Sequence, residues 1–194
     1  MSDPLPSADD AGVLAVAELI RGRRTINLFE PEPVGTDALR DAIGLARWAP
    51  NHRLTEPWRF YLIGPETLAA VVDCWAGYEA GVKGEAAGAA RRKRLAGIPG
   101  HFVVTSKTHD DEIVDRENYA ACCCAMQNLM LYLWQRGIGV KWTTGDITRE
   151  AGLYEALGID AGAERIVGYF WYGRPKVVAP QKRRGVDEIV VELA

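Results

Sequence analysis

The amino-acid sequence predicts an α+β fold, with a mainly antiparallel central sheet flanked by helices. Three observations lead there. Segments of helical period and short β-branched or aromatic runs follow one another without the regular strand–helix–strand alternation that winds a parallel sheet. The strand-like runs are short and end on turn residues, as Phe60-Tyr61-Leu62-Ile63 ends on Gly64-Pro65. No G-x-G-x-x-G opens a helix after a strand; Gly137-Ile138-Gly139 lacks the third glycine and follows a helical segment.

Each element has its own signals. Ser7 to Arg21 reads as a helix with Ser7 as N-cap, Val13, Val16, Ala17 and Ile20 at helical spacing, and Gly22 as the stop. Arg23 to Phe29 is extended or turn-like, and Pro31 and Pro33 break any helix. Thr36 to Arg47 is a second helix, capped by Thr36, with Leu39, Ile43 and Ala46 on its buried face. Glu66 to Tyr78 is helical, and Glu79 to Leu95 is helix-compatible although Gly81, Gly84 and Gly88 weaken it by ~1 kcal/mol each relative to Ala. Phe102 to Ser106 is a buried strand. Asp115 to Arg136 is the longest helical segment. Its apolar load (Ala121, Ala125, Met126, Leu129, Met130, Leu133) places it in the core or in a subunit interface. Val140 to Thr144 is a strand, Thr148 to Leu157 a short helix, and Ile166 to Tyr172 a strand rich in β-branched and aromatic residues. The tail from Arg174 holds Pro175 and Pro180 and then Ile189-Val190-Val191, a lone strand.

The bulk composition excludes several functional classes. The chain has 194 residues, 48% hydrophobic and 25% charged, with a net charge of −3. That supports one core and a single domain over 1–194. The acidic balance lacks the basic footprint of a nucleic-acid binder and disfavours an anionic membrane surface. Met1 to Asp10 is polar and acidic, without the basic and apolar regions of a secretory leader. No stretch approaches the ~20 apolar residues of a membrane span. A cytoplasmic protein is expected. Three consecutive cysteines, Cys122-Cys123-Cys124, point ~100° apart on a helix and cannot converge on one metal. They read as small apolar side chains of a packed helix, with a redox-sensing thiol as the alternative. The run Arg91-Arg92-Lys93-Arg94 reads as a solvated helix face, with attraction of an anionic cofactor as the alternative.

No side-chain nucleophile or metal site stands out. There is no G-x-x-x-x-G-K-[ST] and no G-x-S-x-G. His52, His101 and His109 are scattered, and His109-Asp110-Asp111-Glu112 reads as a solvated helix start rather than a metal site. An enzyme with this inventory needs a cofactor to carry the chemistry. The run from Arg23 to Phe60 fits that need. An arginine pair and a hydroxyl (Arg23-Arg24-Thr25) where a helix ends suit a phosphate. The Pro-bounded loop Ala49-Pro50-Asn51-His52 to Pro57-Trp58-Arg59-Phe60 suits a flat aromatic ring.

These residues resemble the FMN-dependent nitroreductases. The resemblance rests on Arg23-Arg24-Thr25 with Phe29 and Pro31-Glu32-Pro33-Val34, Ala49-Pro50, and Pro57-Trp58-Arg59-Phe60. It continues through Gly137-Ile138-Gly139-Val140-Lys141-Trp142-Thr143-Thr144-Gly145 and Ile166 to Gly173, in the same order. The Asn51-His52 variant is most similar to the small bacterial members. The resemblance implies an intertwined homodimer with FMN at the subunit interface, the tail 174–194 wrapping the partner, and NADH or NADPH as electron donor. It implies ping-pong hydride transfer through flavin N5 to a nitroaromatic, quinone or similar flat acceptor. It implies phosphate and ribityl contacts for Arg23 and Thr25 with Arg24 beside them, and a second phosphate arginine in Arg183. Trp48 and His52 would lie on the loop that reaches across the interface. Trp142, Thr143 and Thr144 would lie on the strand whose backbone runs along the flavin. Two departures stand out: Glu56 where many members carry Gln, and Asn27 where many carry a cation near the flavin N1–C2 edge. The rival readings are a flavin-dependent dehalogenase or ring-modifying branch of the fold, and a non-catalytic FMN-binding dimer.

Overall fold

A computed structural model describes residues 10–193. Ser7, expected to cap the first helix, lies outside them. The elements in order are α1 (Asp10–Gly22), α2 (Thr36–Ala46), β1 (Trp58–Leu62), α3 (Pro65–Lys83), α4 (Glu85–Ala96), β2 (Gly100–Lys107), α5 (Glu112–Gln135), β3 (Gly139–Thr143), α6 (Ala151–Leu157) and β4 (Glu164–Gly173). The strands form one sheet, ordered β1-β2-β4-β3, and every pairing is antiparallel. The α+β expectation holds.

The central pair β2 and β4 is covered on both faces, and the strand period divides its side chains between two cores. Phe102, Val104, Phe170 and Tyr172 face α2 and α5, where they meet Leu39, Ala42, Ala46, Met126, Leu129 and Leu133. Val103, Tyr169 and Trp171 face the other way, onto Val71, Val72 and Trp75 of α3, Leu95 of α4 and Leu153 of α6. Phe102 and Phe170 stack across the strand pair with ring centroids 4.6 Å apart. Full burial of each such side chain contributes roughly 1.5–3 kcal/mol. A buried carboxylate ties three strands together: Glu164 accepts from Arg59, from Thr105 and, at 2.9 Å, from the Tyr61 hydroxyl.

Several boundaries differ from expectation for local reasons. Gly35, not Thr36, is the N-cap of α2, and no side chain caps that end. α3 runs through Gly77 and Gly81; the break falls at Gly84, whose φ of +90° favours glycine. α5 begins at Glu112 because the Asp111 carboxylate accepts from the main-chain N–H groups of Ile113 (2.8 Å) and Val114 (3.3 Å). The segment before α6 is a 3₁₀ turn, Asp146–Arg149, rather than helix from Thr148. β3 stops at Thr143, so Thr144 lies beyond the ladder. Ile189–Val191 forms no strand, since it has no neighbouring strand in this chain; Val186–Glu188 is a 3₁₀ turn, and the apolar side chains after it are exposed. The apolar load of α5 is buried against its own sheet, whereas Val13, Leu14, Val16 and Ile20 of α1 stay exposed. Cys122 is buried, Cys123 half-buried and Cys124 exposed, the spread that a 100° step produces. Among the described residues no helix is long and apolar enough to cross a membrane.

Candidate functional site

β3 is an edge strand, and its outer edge carries the site. The chain leaving α1 runs alongside it: Thr25 pairs in parallel with Val140, and the Ile26 N–H donates to the Val140 carbonyl at 3.1 Å. A Cβ added at Gly139 would lie 2.3 Å from Ile26 Cγ1, so glycine is needed for this close approach. Because Val140 turns its carbonyl outward, alternation turns the main chain of Trp142 outward too, past the point where the Thr25–Ile26 cover ends. The segment then folds back onto the start of the tail, with Lys176 N–H donating to the Leu28 carbonyl at 3.0 Å and Glu30 N–H to the Arg174 carbonyl at 2.9 Å.

That path gathers cations. Arg21, Arg23, Arg24 and Arg183 line one cavity of about 500 Å³, with Ile20 and Gln181. Burial, followed by the charges of Arg183 and Arg24, lowers the Arg23 pKa from its ordinary value. Among the described residues these guanidiniums hydrogen-bond neutral groups: Arg24 donates to the Arg21 and Arg23 carbonyls, and Arg183 to Gln181 Oε1 at 2.9 Å and the Lys182 carbonyl at 3.1 Å. Like charges held together without a carboxylate form an anion site, and forked guanidiniums match the oxygens of a phosphate. Three residues singled out in the sequence, Arg23, Arg24 and Arg183, thus meet in space, and Thr25 leads from them to β3.

The residues of β3 divide by face. The Trp142 side chain is committed to packing: its Nε1 donates to the Val167 carbonyl at 3.1 Å and its ring stacks on Phe170 at 5.4 Å. Only its main chain is free to meet a ligand. Thr143 points to the opposite face, where its buried Oγ1 has no hydrogen-bond partner. Thr144 is exposed. Trp48 and His52 stand apart from this edge. They lie on the exposed loop between α2 and β1, with Trp48 77% exposed. Arg53, Leu54 and Glu56 all have positive φ (55°, 52° and 41°). Such non-glycine residues cost of order 1–3 kcal/mol each and persist where surroundings over-determine them. Asn51 supplies part of that, accepting from Glu56 N–H at 3.0 Å and donating to the Ala49 carbonyl at 3.2 Å, while the Thr55 hydroxyl donates to Asn118 of α5 at 3.0 Å.

A second chamber adjoins Thr143, walled largely by the 75–100 region, which carries no clear family pattern in the sequence. Its walls come from α3, α4, β3 and β4, and its volume is about 290 Å³. The basic run of α4 contributes two of its cations, Arg91 and Arg94, although Arg92, Lys93 and Arg94 are all exposed, as expected of a solvated face. Arg92 and Lys93 are exposed, and Arg92 pairs with Asp73. Arg91 and Arg94, three residues apart and so on one helix face, place their guanidiniums 5.0 Å from the ring centroids of Trp75 and Trp171 respectively. Lys141 Nζ lies 4.7 Å from the Trp171 ring. Spacing within the run held the signal: two basic residues at i, i+3 flank the buried Leu95 and border the chamber from one side of α4. Arg94 also lines the cleft beside Asn27, so α4 brings a cation near the position where the sequence lacks one.

Known proteins are similar to this chain in sequence and fold. The model of the Nitroreductase family matches residues 20–174. YfhC of Bacillus subtilis, named as an NAD(P)H nitroreductase, is 31% identical over 171 residues, covering 86% of this chain and 88% of that protein. YdjA of Escherichia coli K12, likewise named, is 29% identical over 169 residues, covering 85% of this chain and 90% of that protein. A nitroreductase-like family protein from Bacillus cereus superposes with a TM-score of 0.81 at 28% identity, covering 98% of this chain and 99% of that one. The FMN-dependent nitroreductase NfnB of Mycobacterium smegmatis, solved with NADPH, shares the fold with a TM-score of 0.77 at 16% identity, covering 94% and 99%. With the family matched from the end of α1 to the end of β4, the chain belongs to the Nitroreductase family.

Proposed function

We propose that this chain is an FMN-dependent NAD(P)H oxidoreductase that works as a homodimer in the cytoplasm and reduces nitroaromatic, quinone-like or similar flat acceptors. The observation that carries this reading is the arginine cavity joined, through Thr25, to the open edge of β3. The residues fit the group. Arg23, Arg24 and Arg183 would hold the phosphate, and Thr25 would meet the ribityl chain. The outward main chain of Trp142 would orient the ring, since a fixed N–H dipole beside a charge-developing atom costs no reorganisation. When bound, FMN supplies the two-electron chemistry, taking hydride from the nicotinamide and passing it to the acceptor. The protein's part is orientation and electrostatics, with no side chain assigned as an obligatory acid or base.

Trp48 and His52 are exposed and do not line the arginine cavity of their own chain, which supports a role on the site of a second copy. The strained, braced loop beneath them is built to present side chains outward. The names of YfhC and YdjA support the donor class, and FMN dependence of NfnB supports the cofactor.

The purified protein is expected to be yellow, to hold one FMN per subunit and to bleach on anaerobic addition of NAD(P)H. Arg23→Ala removes a charge-assisted contact of ~1.5–3 kcal/mol, so FMN affinity should fall roughly ten- to a hundredfold. Fluorescence-quenching titration reads that loss. A colourless protein that takes up no added FMN sinks the reading. An Arg23→Ala variant with wild-type affinity removes the phosphate from this position.

A further inference from the structure

The chamber beside Thr143 holds more positive charge and more unpaired donors than packing requires. Three of its polar atoms are buried without a hydrogen-bond partner: Arg91 Nε, Thr143 Oγ1 and Trp171 Nε1. Trp171 is 1% exposed, and its indole N–H is itself buried. A buried donor left unmet costs about 1–3 kcal/mol, and native interiors hold few. Here three belong to residues that line one space.

The charges point the same way. Arg91, Arg94, Lys141 and Lys83 line the chamber, against only two carboxylates. Glu79 is already shared between Arg91 (2.6 Å) and Lys83 (3.0 Å), and Asp146 is paired with Arg149. Among the described residues Arg94 and Lys141 have no carboxylate partner. Both sit over the same Trp171 ring, at 5.0 and 4.7 Å. Burial, and then the charges of Arg94 and Arg91, lower the Lys141 pKa from its ordinary value. The fold thus presses cations together from two elements, α4 and β3, around a buried indole. An anion seated between them relieves the repulsion.

The walls set the rest of the ligand. Half-buried Tyr78 adds an aromatic side chain to the wall beside the buried Trp75 and Trp171, which lie 6.0 Å apart with an interplanar angle of 39°. About 290 Å³ is small for a ligand pocket and fits one substituted ring.

We propose that this chamber is an acceptor subsite that selects single-ring aromatic molecules carrying a carboxylate or similar anionic group, held by Lys141 and Arg94. The subsite rests on the reading that the strand bearing Thr143 borders the flavin, and it names the acceptor class within that reading. A neutral ring of the same shape is the disfavoured substrate.

The test uses the FMN-loaded protein, 4-nitrobenzoate and its neutral analogue 4-nitrobenzamide. In the wild type, kcat/KM for the anion should exceed that for the amide by tenfold or more, and the ratio should fall as salt is raised. Lys141→Gln, and separately Arg94→Gln on the other element, should each cut the anion-to-amide ratio by roughly tenfold or more, as expected for loss of a charge-assisted contact. Calorimetric titration with benzoate gives a readout independent of turnover, and both variants should bind it more weakly. FMN content and far-ultraviolet dichroism identify a variant that has not folded, and the other variant then decides. Equal wild-type kcat/KM for acid and amide overturns the proposal. So does a Lys141→Gln variant that raises KM for NADPH but not NADH while leaving the acceptor ratio intact, because the anion is then the donor's 2′-phosphate. Failure of the flavin reading is separate: protein without FMN reduces neither acceptor, yet its benzoate binding still reports on Lys141 and Arg94.

Discussion

His101 shows how burial alone sets the ionisation of a residue. It lies on β2, 4% exposed, with Nδ1 3.0 Å from the Tyr169 hydroxyl. Nε2 is turned toward the Leu95 and Ile98 carbonyls at the end of α4 without a hydrogen bond of ordinary geometry. Burial drives its pKa down to about 4, against the weaker opposing pull of those carbonyls. The native state therefore keeps the imidazole neutral where the unfolded chain takes up a proton. The resulting stability is fully present above the unfolded pKa of about 6.5, and it is lost as pH falls toward 4. Over that window His101 contributes a loss of roughly 3 kcal/mol. The stability gap between wild type and His101→Gln should therefore shrink as pH drops from 7 to 4.5 in urea unfolding, since carboxylate titration is common to both proteins. A gap that does not change with pH contradicts a buried neutral His101. The same reasoning makes Cys122 inert. Burial raises its thiol to about 12, and that fits the packed-helix reading rather than a redox role for this member of the triplet.

At the scale of elements, the α3–α4 pair depends on glycines with different duties. Gly81 lies inside α3, where an added Cβ would have nothing within 4 Å, whereas a Cβ at Gly88 would meet the Ala76 carbonyl at 2.7 Å and Ala80 Cβ at 2.8 Å. Gly81→Ala should raise the melting temperature, reflecting a gain of about 0.5–1 kcal/mol from backbone entropy alone. Gly88→Ala should lower it, by the ~1–3 kcal/mol of an overpacked contact. If both variants shift in the same direction, the close approach of α4 to α3 at Gly88 is wrong. This contrast also marks what the sequence could convey. The helices and strands were legible because their apolar spacing is local, as in Leu39 and Ala46 or in the run from Ile166 to Tyr172. Whether a glycine is a weakness or a requirement depends on what packs against it from another helix, and nothing near Gly88 in the chain says so. The candidate site divides in the same way. Arg23, Arg24 and Thr25 are neighbours in sequence and could be read as one unit. Arg183 entered only by resemblance. Lys141 and Arg94 belong to different elements, and only the packing of α4 over the sheet brings them to one indole.

The whole molecule leaves apolar surface that its own fold does not cover. Val13, Leu14, Val16 and Ile20 on α1 are exposed, as are Val186, Ile189, Val190, Val191 and Leu193 of the tail. Exposed apolar residues in such numbers point to association. The tail divides at Arg183. Up to that residue it is tied to its own chain, through Pro175 opposite Phe29 and through the arginine cavity. Beyond it the residues are exposed and outside the sheet. In the proposed dimer the first part builds the phosphate end of the site, and the second part holds the partner. A chain ending at Gly185 separates the two roles, because it keeps Arg183 and loses the apolar end. Full-length protein should sediment as a dimer at micromolar concentration, and the 1–185 chain should dissociate in that range. If the site is shared, FMN affinity of the shortened chain should also rise with protein concentration, because assembly and binding are then linked by mass action. A full-length chain that sediments as a monomer while binding FMN tightly contradicts the shared site. A 1–185 chain that dimerises as firmly as the full one moves the interface from the tail to α1 or to another surface.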